Sequence, residues 1–342
     1  MTPAVTEGMK TMTDEGSLPA LRVPEREIPV PPTVSPEARA MLALGMVGPE
    51  PEWLGVELDT AGWKKLVAER EAAVIAMTGA GGAYVGATVE EEDLGGFVVY
   101  KIRPDEVSAD DRRVFLDFHG GGFIQDGGQI ACSRAVDFAK GLGATVWSVD
   151  YRMPPDHPFP TTVDDCVAGY RRLLDERRPQ EIVIGGSSAG GNLAAACILK
   201  GRDEGLPLPA AAVLNTPCTD LTESSDSWWA NEGVDTVLRG VFAPAFELYA
   251  GGHDLKDPYI SVVYADLDQG FPPTILTTGT RDKLLSDTAR FHRALLRAGV
   301  EAELHVWEAM GHAGFLGMSP EDNERAAQIR LFCENHWPAA VA

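Results

Sequence analysis

At 342 residues and 44% hydrophobic content, the chain is long enough to bury one large core and a small accessory layer, which excludes a disordered or membrane-embedded protein. The formal charge of -22 is spread along the whole chain, which excludes nucleic acid and anionic membrane as partners and argues against a polyphosphate substrate. No stretch offers the roughly 20 uninterrupted apolar residues of a transmembrane helix, and the N-terminus lacks the basic head and apolar run of an export signal, so a cytoplasmic location is expected. Cys132, Cys166, Cys197, Cys218 and Cys333 are odd in number, lack CxxC spacing and mostly sit in apolar stretches, as reduced core cysteines do.

Residues 1–35 are rich in Pro, Thr and Glu, and Ile28-Pro29-Val30-Pro31-Pro32 cannot be helical, so an extended arm is predicted. Ser35 is placed to cap a short helix that Pro36-Glu37 opens and Leu44 ends, and a longer helix is predicted from Trp63 to Met77. Beyond Gly79, Ala83–Ala87 and Gly96–Tyr100 read as an antiparallel pair of strands. Six apolar strands follow, at 114–118, 145–149, 181–184, 211–214, 274–277 and 302–307, separated by helical stretches near 132–142, 163–176, 190–204 and 287–298, with a last helix near 321–335. This alternation predicts an α/β protein with a central, mostly parallel eight-stranded sheet covered by helices on both faces. One interval breaks the rhythm. Roughly 60 residues separate Leu214 from Thr274 where a crossover needs far fewer, and they hold Trp228, Trp229, Phe242, Phe246 and Tyr249. An insertion of that length, after a strand, is expected to form a lid.

The run Ile182–Gly185, then Gly186-Ser187-Ser188-Ala189-Gly190, then the alanine-rich stretch from Asn192 to Leu199 places a Gly-x-Ser-x-Gly motif between a strand and a helix. That context gives the motif its meaning, because a serine on a sharp, strained turn projects its hydroxyl above the sheet. The Ala189 N–H at the helix start is a candidate oxyanion donor. His119-Gly120-Gly121-Gly122-Phe123 follows the strand ending at Phe118; successive glycines let backbone N–H groups turn toward a carbonyl oxygen, and Gly121 and Gly122 are the further candidate donors. His119, at the strand end, is expected to brace this loop. A serine nucleophile needs an imidazole and a carboxylate that orients it, in the chain order Ser, acid, His. His312, in the loop after the strand 302–307, and Asp282, in the loop after the strand 274–277, satisfy that order. Asp287 is expected to cap the next helix or support the loop.

With these residues placed, the chain resembles the bacterial hormone-sensitive-lipase family (family IV) of α/β-hydrolase esterases. Asp150-Tyr151-Arg152-Met153-Pro154-Pro155-Asp156-His157-Pro158-Phe159-Pro160 is similar to that family's Tyr-Arg-x-x-Pro-Glu-His-Pro-Phe-Pro segment. The resemblance runs from about Val98 to Trp337. It departs at Ser187, where the family usually has Asp or Thr, at Asp156, where Glu is common, and in the spacing of the histidine loop. It implies a serine carboxylesterase for short- to medium-chain esters, with Ser188, Asp282 and His312 as triad and Gly121, Gly122 and Ala189 as oxyanion hole. It further implies a cap built from the N-terminal helices (within 1–80) and an insertion (218–260) over a catalytic domain of 81–217 and 261–342. No cofactor or metal is required. A lactonase or deacetylase would use the same triad, and a small-molecule receptor on this fold would have lost a member of it. Phe123, Trp228, Trp229, Phe242, Tyr249 and Phe315 are the expected apolar substrate contacts. The expected partner is a small ester, with 302–307 as an edge strand through which two copies could pair.

Overall fold

The structure, a computed structural model, describes residues 20–45 and 51–339; residues 1–19 of the expected arm lie outside the described residues. Residues 20–31 form a unit of their own without helix or strand.

From Pro32 onward the chain builds one body. Its eight strands are β1 (Ala87–Asp93), β2 (Val98–Pro104), β3 (Val114–Phe118), β4 (Thr145–Asp150), β5 (Ile182–Ser187), β6 (Ala211–Asn215), β7 (Thr274–Gly279) and β8 (Ala302–Trp307). They lie in the order β1-β2-β4-β3-β5-β6-β7-β8, antiparallel from β1 to β4 and parallel from β4 to β8. The central strands bury both faces, which is why β3, β5, β6 and β7 read as continuous apolar runs.

The helices are α1 (Pro36–Ala43), α2 (Thr60–Thr78), α3 (Gly128–Leu142), α4 (Thr161–Leu174), α5 (Ala189–Asp203), α6 (Asp226–Ala230), α7 (Ala243–Ala250), α8 (Leu285–Arg297) and α9 (Pro320–His336). One face of the sheet packs on α4 and α5, the other on α3 and α9. Helix α5 is buried almost all round, so its small residues, Gly190, Gly191, Ala194, Ala195 and Ala196, are those that let it lie close to the sheet. The predicted Ser35 cap holds, its hydroxyl accepting from the Ala38 N–H; at α9, Ser319 and Asp322 form a capping box that the sequence reading did not name.

Two expectations are corrected. The first strand begins at Ala87, not Ala83, because the strand material is Thr88-Val89-Glu90-Glu91-Glu92, an acidic edge strand held by ion pairs. Glu92 reaches Lys101 at 2.7 Å and Arg172 at 2.8 Å. The long insertion contains α6 and α7, too short to show a helical period in the sequence. Asp287 does not cap α8; it accepts a hydrogen bond from the Asp220 N–H and so supports the insertion's first loop.

All five cysteines are free and buried. Among the described residues no helix is long and apolar enough to cross a membrane.

The segment 150–160 works as a bracket. Arg152 donates two side-chain hydrogen bonds to Asp165, at 2.9 and 2.7 Å, and the Phe159 N–H donates to the Tyr249 carbonyl at 2.8 Å. It thereby joins α4 to the insertion helix α7.

Candidate active site

Between β5 and α5 the chain reverses on a single residue. Ser188 has φ 58° and ψ -120°, a strained conformation for a residue with a side chain, costing about 1–3 kcal/mol. The surroundings hold it there. Its N–H donates to the Asn215 carbonyl at 2.9 Å, and its own carbonyl accepts from the N–H groups of Gly191, Asn192 and Cys218. A Cβ at Gly186 or Gly190 would collide with the Phe118 carbonyl oxygen of β3, so the turn admits only glycine at these two flanking positions.

The Ser188 hydroxyl meets His312 Nε2 at 2.8 Å, and His312 Nδ1 meets Asp282 Oδ1 at 3.2 Å. In the tautomer this requires, Nδ1–H donates to the carboxylate and Nε2 accepts from the serine. The three residues stand at the C-terminal ends of β5, β7 and β8, as the sequence spacing requires. Asp282 is fully buried and also accepts from the Thr278 hydroxyl and the Leu284 N–H, each at 2.8 Å. Burial pulls the imidazole of His312 down, but the Asp282 carboxylate, reinforced by Asp235, outweighs it and leaves the pKa above the ordinary histidine value. Such an assembly can remove the proton of a hydroxyl as it attacks an electrophile.

The glycine loop lies directly over this serine. Gly121 and Gly122 have φ of 106° and 62°, so their backbone turns in a way side-chain-bearing residues resist. The Gly121 carbonyl is drawn away, accepting from the N–H groups of Ile124 and Gln125. Ala189 is the first residue of α5, where N–H groups have no partner within the helix. His119 braces the loop: its ring stacks on Tyr151 at 4.1 Å, Nδ1 lies 2.7 Å from the Gly120 carbonyl, and the Tyr151 hydroxyl donates to the His119 carbonyl at 2.7 Å. Burial lowers its pKa and keeps it neutral. A Cβ at Gly121 would strike the Gln125 carbonyl. Gly121→Ala is therefore expected to lower kcat on p-nitrophenyl butyrate by on the order of 10²–10³ with a much smaller change in KM, read from steady-state rates.

A cavity of about 830 Å³ opens beside Ser188 and His312 and is lined by Trp53, Ile124, Leu238 and Phe242 on its apolar side. Of the six aromatic residues expected at the substrate, Phe242 borders it and the other five do not. Phe123 and Tyr249 are buried and stack on each other at 4.3 Å. Trp228 packs on Phe242 and Phe246, and Phe315 packs with α1 beside Trp307 and Met310. Trp229 is 65% exposed and faces solvent. The reason is packing: Trp228 builds the insertion's small core with Phe242 and Phe246, and Tyr249 fixes α7 against Phe123 of the glycine loop. Trp53 is a cavity residue that sequence reasoning missed; its indole N–H donates to the Val241 carbonyl at 2.9 Å, and its ring lies 5.5 Å from that of Phe242.

Known proteins share this arrangement. A family model described as the α/β-hydrolase fold matches residues 115–316. The chain belongs to the α/β-hydrolase family. Within it, likeness to solved hormone-sensitive-lipase homologues at 32% identity places this hydrolase in the hormone-sensitive-lipase-like branch. A solved esterase, E25, is 33% identical, with a TM-score of 0.84 over 93% of this chain and 99% of that one. A hormone-sensitive-lipase homologue from a metagenome library, EstE7, is 32% identical, with a TM-score of 0.72 over 82% of this chain and 99% of its own. An acetyl-hydrolase of Streptomyces hygroscopicus is 34% identical over 59% of this chain and 68% of its own length. An esterase of Acinetobacter venetianus is 31% identical over 68% and 78%.

The hydrolase also holds a residue that sequence spacing did not disclose. Asp235, fully buried in the insertion, lies against the backbone of His312 and of Lys283. Nothing near it in sequence marks it, because these two partners are 48 and 77 positions away.

Proposed function

We propose that this α/β hydrolase cleaves carboxylic esters of short or medium acyl chain through an acyl-enzyme on Ser188. The observation that carries the reading is the unbroken relay from Ser188 Oγ to His312 Nε2, 2.8 Å, and from His312 Nδ1 to Asp282, 3.2 Å, on a strained strand-to-helix turn. The esterase names of similar proteins and the shared fold support it.

In the first half-reaction Ser188 Oγ attacks the ester carbonyl while His312 Nε2 takes its proton. The negative charge on the former carbonyl oxygen falls to the N–H groups of Gly121, Gly122 and Ala189. Collapse of the tetrahedral intermediate breaks the bond to the alcohol oxygen, which receives the proton from His312. Water, deprotonated by the same imidazole, then attacks the acyl-serine, and its collapse releases the acid and returns the proton to Ser188. Asp282 stays ionised throughout and stabilises the imidazolium.

The roof over this chemistry is the cap: α2 with the stretch around Trp53 from the N-terminal side, and the insertion with α7. Trp53, Trp63, Leu66 and Ala245 form its core above Ile124 of the glycine loop. The name of the Streptomyces relative favours acetyl esters among the short acyl groups. A fluorophosphonate probe tests the assignment: it should add its phosphonyl mass to the peptide containing Ser188, with a stoichiometry approaching one. A folded protein that takes no label, or takes it elsewhere, would overturn the reading.

A further inference from the structure

We infer that Asp235 is a positioning residue for this reaction: a second carboxylate, carried by the insertion, that fixes the His312 loop and shares in stabilising the imidazolium. The inference rests on the reading of His312 as the base.

The geometry comes first. Asp235 has no exposure to solvent. Its Oδ1 accepts the N–H groups of Val237 at 2.9 Å, Leu238 at 3.2 Å and His312 at 3.4 Å, and its Oδ2 accepts the N–H of Lys283 at 2.9 Å. One carboxyl group therefore binds the main chain of the base and the main chain of the residue that follows the acid. A Cβ on Gly311, the residue before His312, would come within 3.2 Å of Asp235 Oδ1, so the carboxylate is pressed against that loop.

The insertion that carries Asp235 is in turn bolted to the acid's loop. The Ser227 hydroxyl donates to the Lys283 carbonyl at 2.6 Å and accepts from the Ser286 N–H at 2.8 Å. The Asn231 amide donates to the Asp282 carbonyl at 2.8 Å, and the Lys283 ammonium reaches the Gly240 carbonyl at 2.7 Å and pairs with Glu232. These bonds occupy the interior of 226–240. That stretch is seated on the triad and cannot swing away without uncovering the buried ends of its own hydrogen bonds.

The protonation state follows from the donors. All four backbone groups bonded to Asp235 are N–H groups, which suit an ionised carboxylate and leave a carboxylic O–H without an acceptor among them. Burial and the neighbouring Asp282 charge raise the pKa of Asp235, while His312 lowers it, so protonation of the imidazole favours the charge on Asp235. Four charged or titratable groups bear on the ring and its loop: Asp282 and Asp235 raise its basicity, Arg325 from α9 lowers it, and Ser188 supplies the proton. Proton transfer from Ser188 thus creates a cation between two carboxylates. Each is stabilised by that cation, and each repels the other while the ring is neutral.

The test is the pH profile of kcat/KM, whose acid limb reports ionisation of the base in the free enzyme. A carboxylate near His312 raises its pKa, so removing the charge lowers it and moves the acid limb to lower pH. Asp235→Asn keeps the shape and is expected to move that limb down by about half a pH unit or more while lowering kcat by roughly ten- to a hundred-fold through displacement of the His312 loop. A residue that only stabilises the fold would lower the rate equally at every pH and leave the limb in place; that result overturns the inference. Asp235→Ser, which retains an oxygen to accept the Val237 N–H, gives the same readout should the Asn variant not fold. An acid limb at the wild-type position in either folded variant rejects the proposal. Failure here leaves Ser188 untouched, whereas turnover retained in Ser188→Ala would reject the underlying mechanism instead.

Discussion

Ser188→Ala is expected to reduce turnover of p-nitrophenyl butyrate by on the order of a million-fold. The loss is that large because, among the described residues, no other hydroxyl is hydrogen-bonded to His312 Nε2. What survives is the weak assistance of oriented N–H groups to attack by water. The backbone need not move, since alanine and serine suffer the same strain at φ 58° and the hydrogen bonds that hold the turn run through main-chain atoms. The thermal midpoint should accordingly stay within about two degrees of the parent. A folded Ser188→Ala protein that retains turnover above that residual level would remove the acyl-enzyme from consideration. A variant that loses activity together with its melting transition would say only that the turn had collapsed, so both measurements belong together.

Asp282→Asn should cost roughly 10⁴ in kcat with little change in KM. The carboxylate accepts three hydrogen bonds in a site without solvent, from the Thr278 hydroxyl, the Leu284 N–H and His312 Nδ1–H. An asparagine fills the same volume but brings an NH₂ group. Turned toward the imidazole, that group donates to Nδ1 and drives the proton onto Nε2, which then faces Ser188 with a hydrogen instead of a lone pair. The imidazolium also loses the charge opposite it. Steady-state kinetics at neutral pH reads the effect; a loss below about tenfold would place the orienting acid elsewhere.

The groups proposed to react were legible in the sequence because each depends on a local backbone requirement that leaves a mark. Gly186 and Gly190 are forced by the Phe118 carbonyl, Gly121 by the Gln125 carbonyl, and the Ser, Asp and His order by parallel strands that end on the same side. The apolar runs at Ile182–Ile184 and Ala211–Leu214 announced buried parallel strands for the same reason. β1 was harder to place, since an acidic edge strand satisfied by Lys101 and Arg172 shows no apolar alternation. The pocket was least legible. An aromatic residue in an insertion can face the cavity, as Phe242 does, pack away from it in the interior, as Trp228 and Tyr249 do, or face water, as Trp229 does. Composition is identical in the three cases, and only tertiary packing separates them. Asp235 stayed hidden on the same grounds: its bonds to the Val237 and Leu238 N–H groups make it look like an ordinary turn residue, and its ties to His312 and Lys283 reach backbone groups distant along the chain.

The bond from Trp53 to the Val241 carbonyl joins two stretches 188 positions apart. Neither stretch contributes a reacting atom, and neither can form the apolar wall alone. For the proposed reaction, selection on which esters are accepted therefore acts on pairs of positions far apart along the chain, and a change at Trp53 is judged against whatever stands at 241 and 242. Exchanging one of the two stretches between related enzymes should leave the reaction intact and the fit spoiled until the other is exchanged with it.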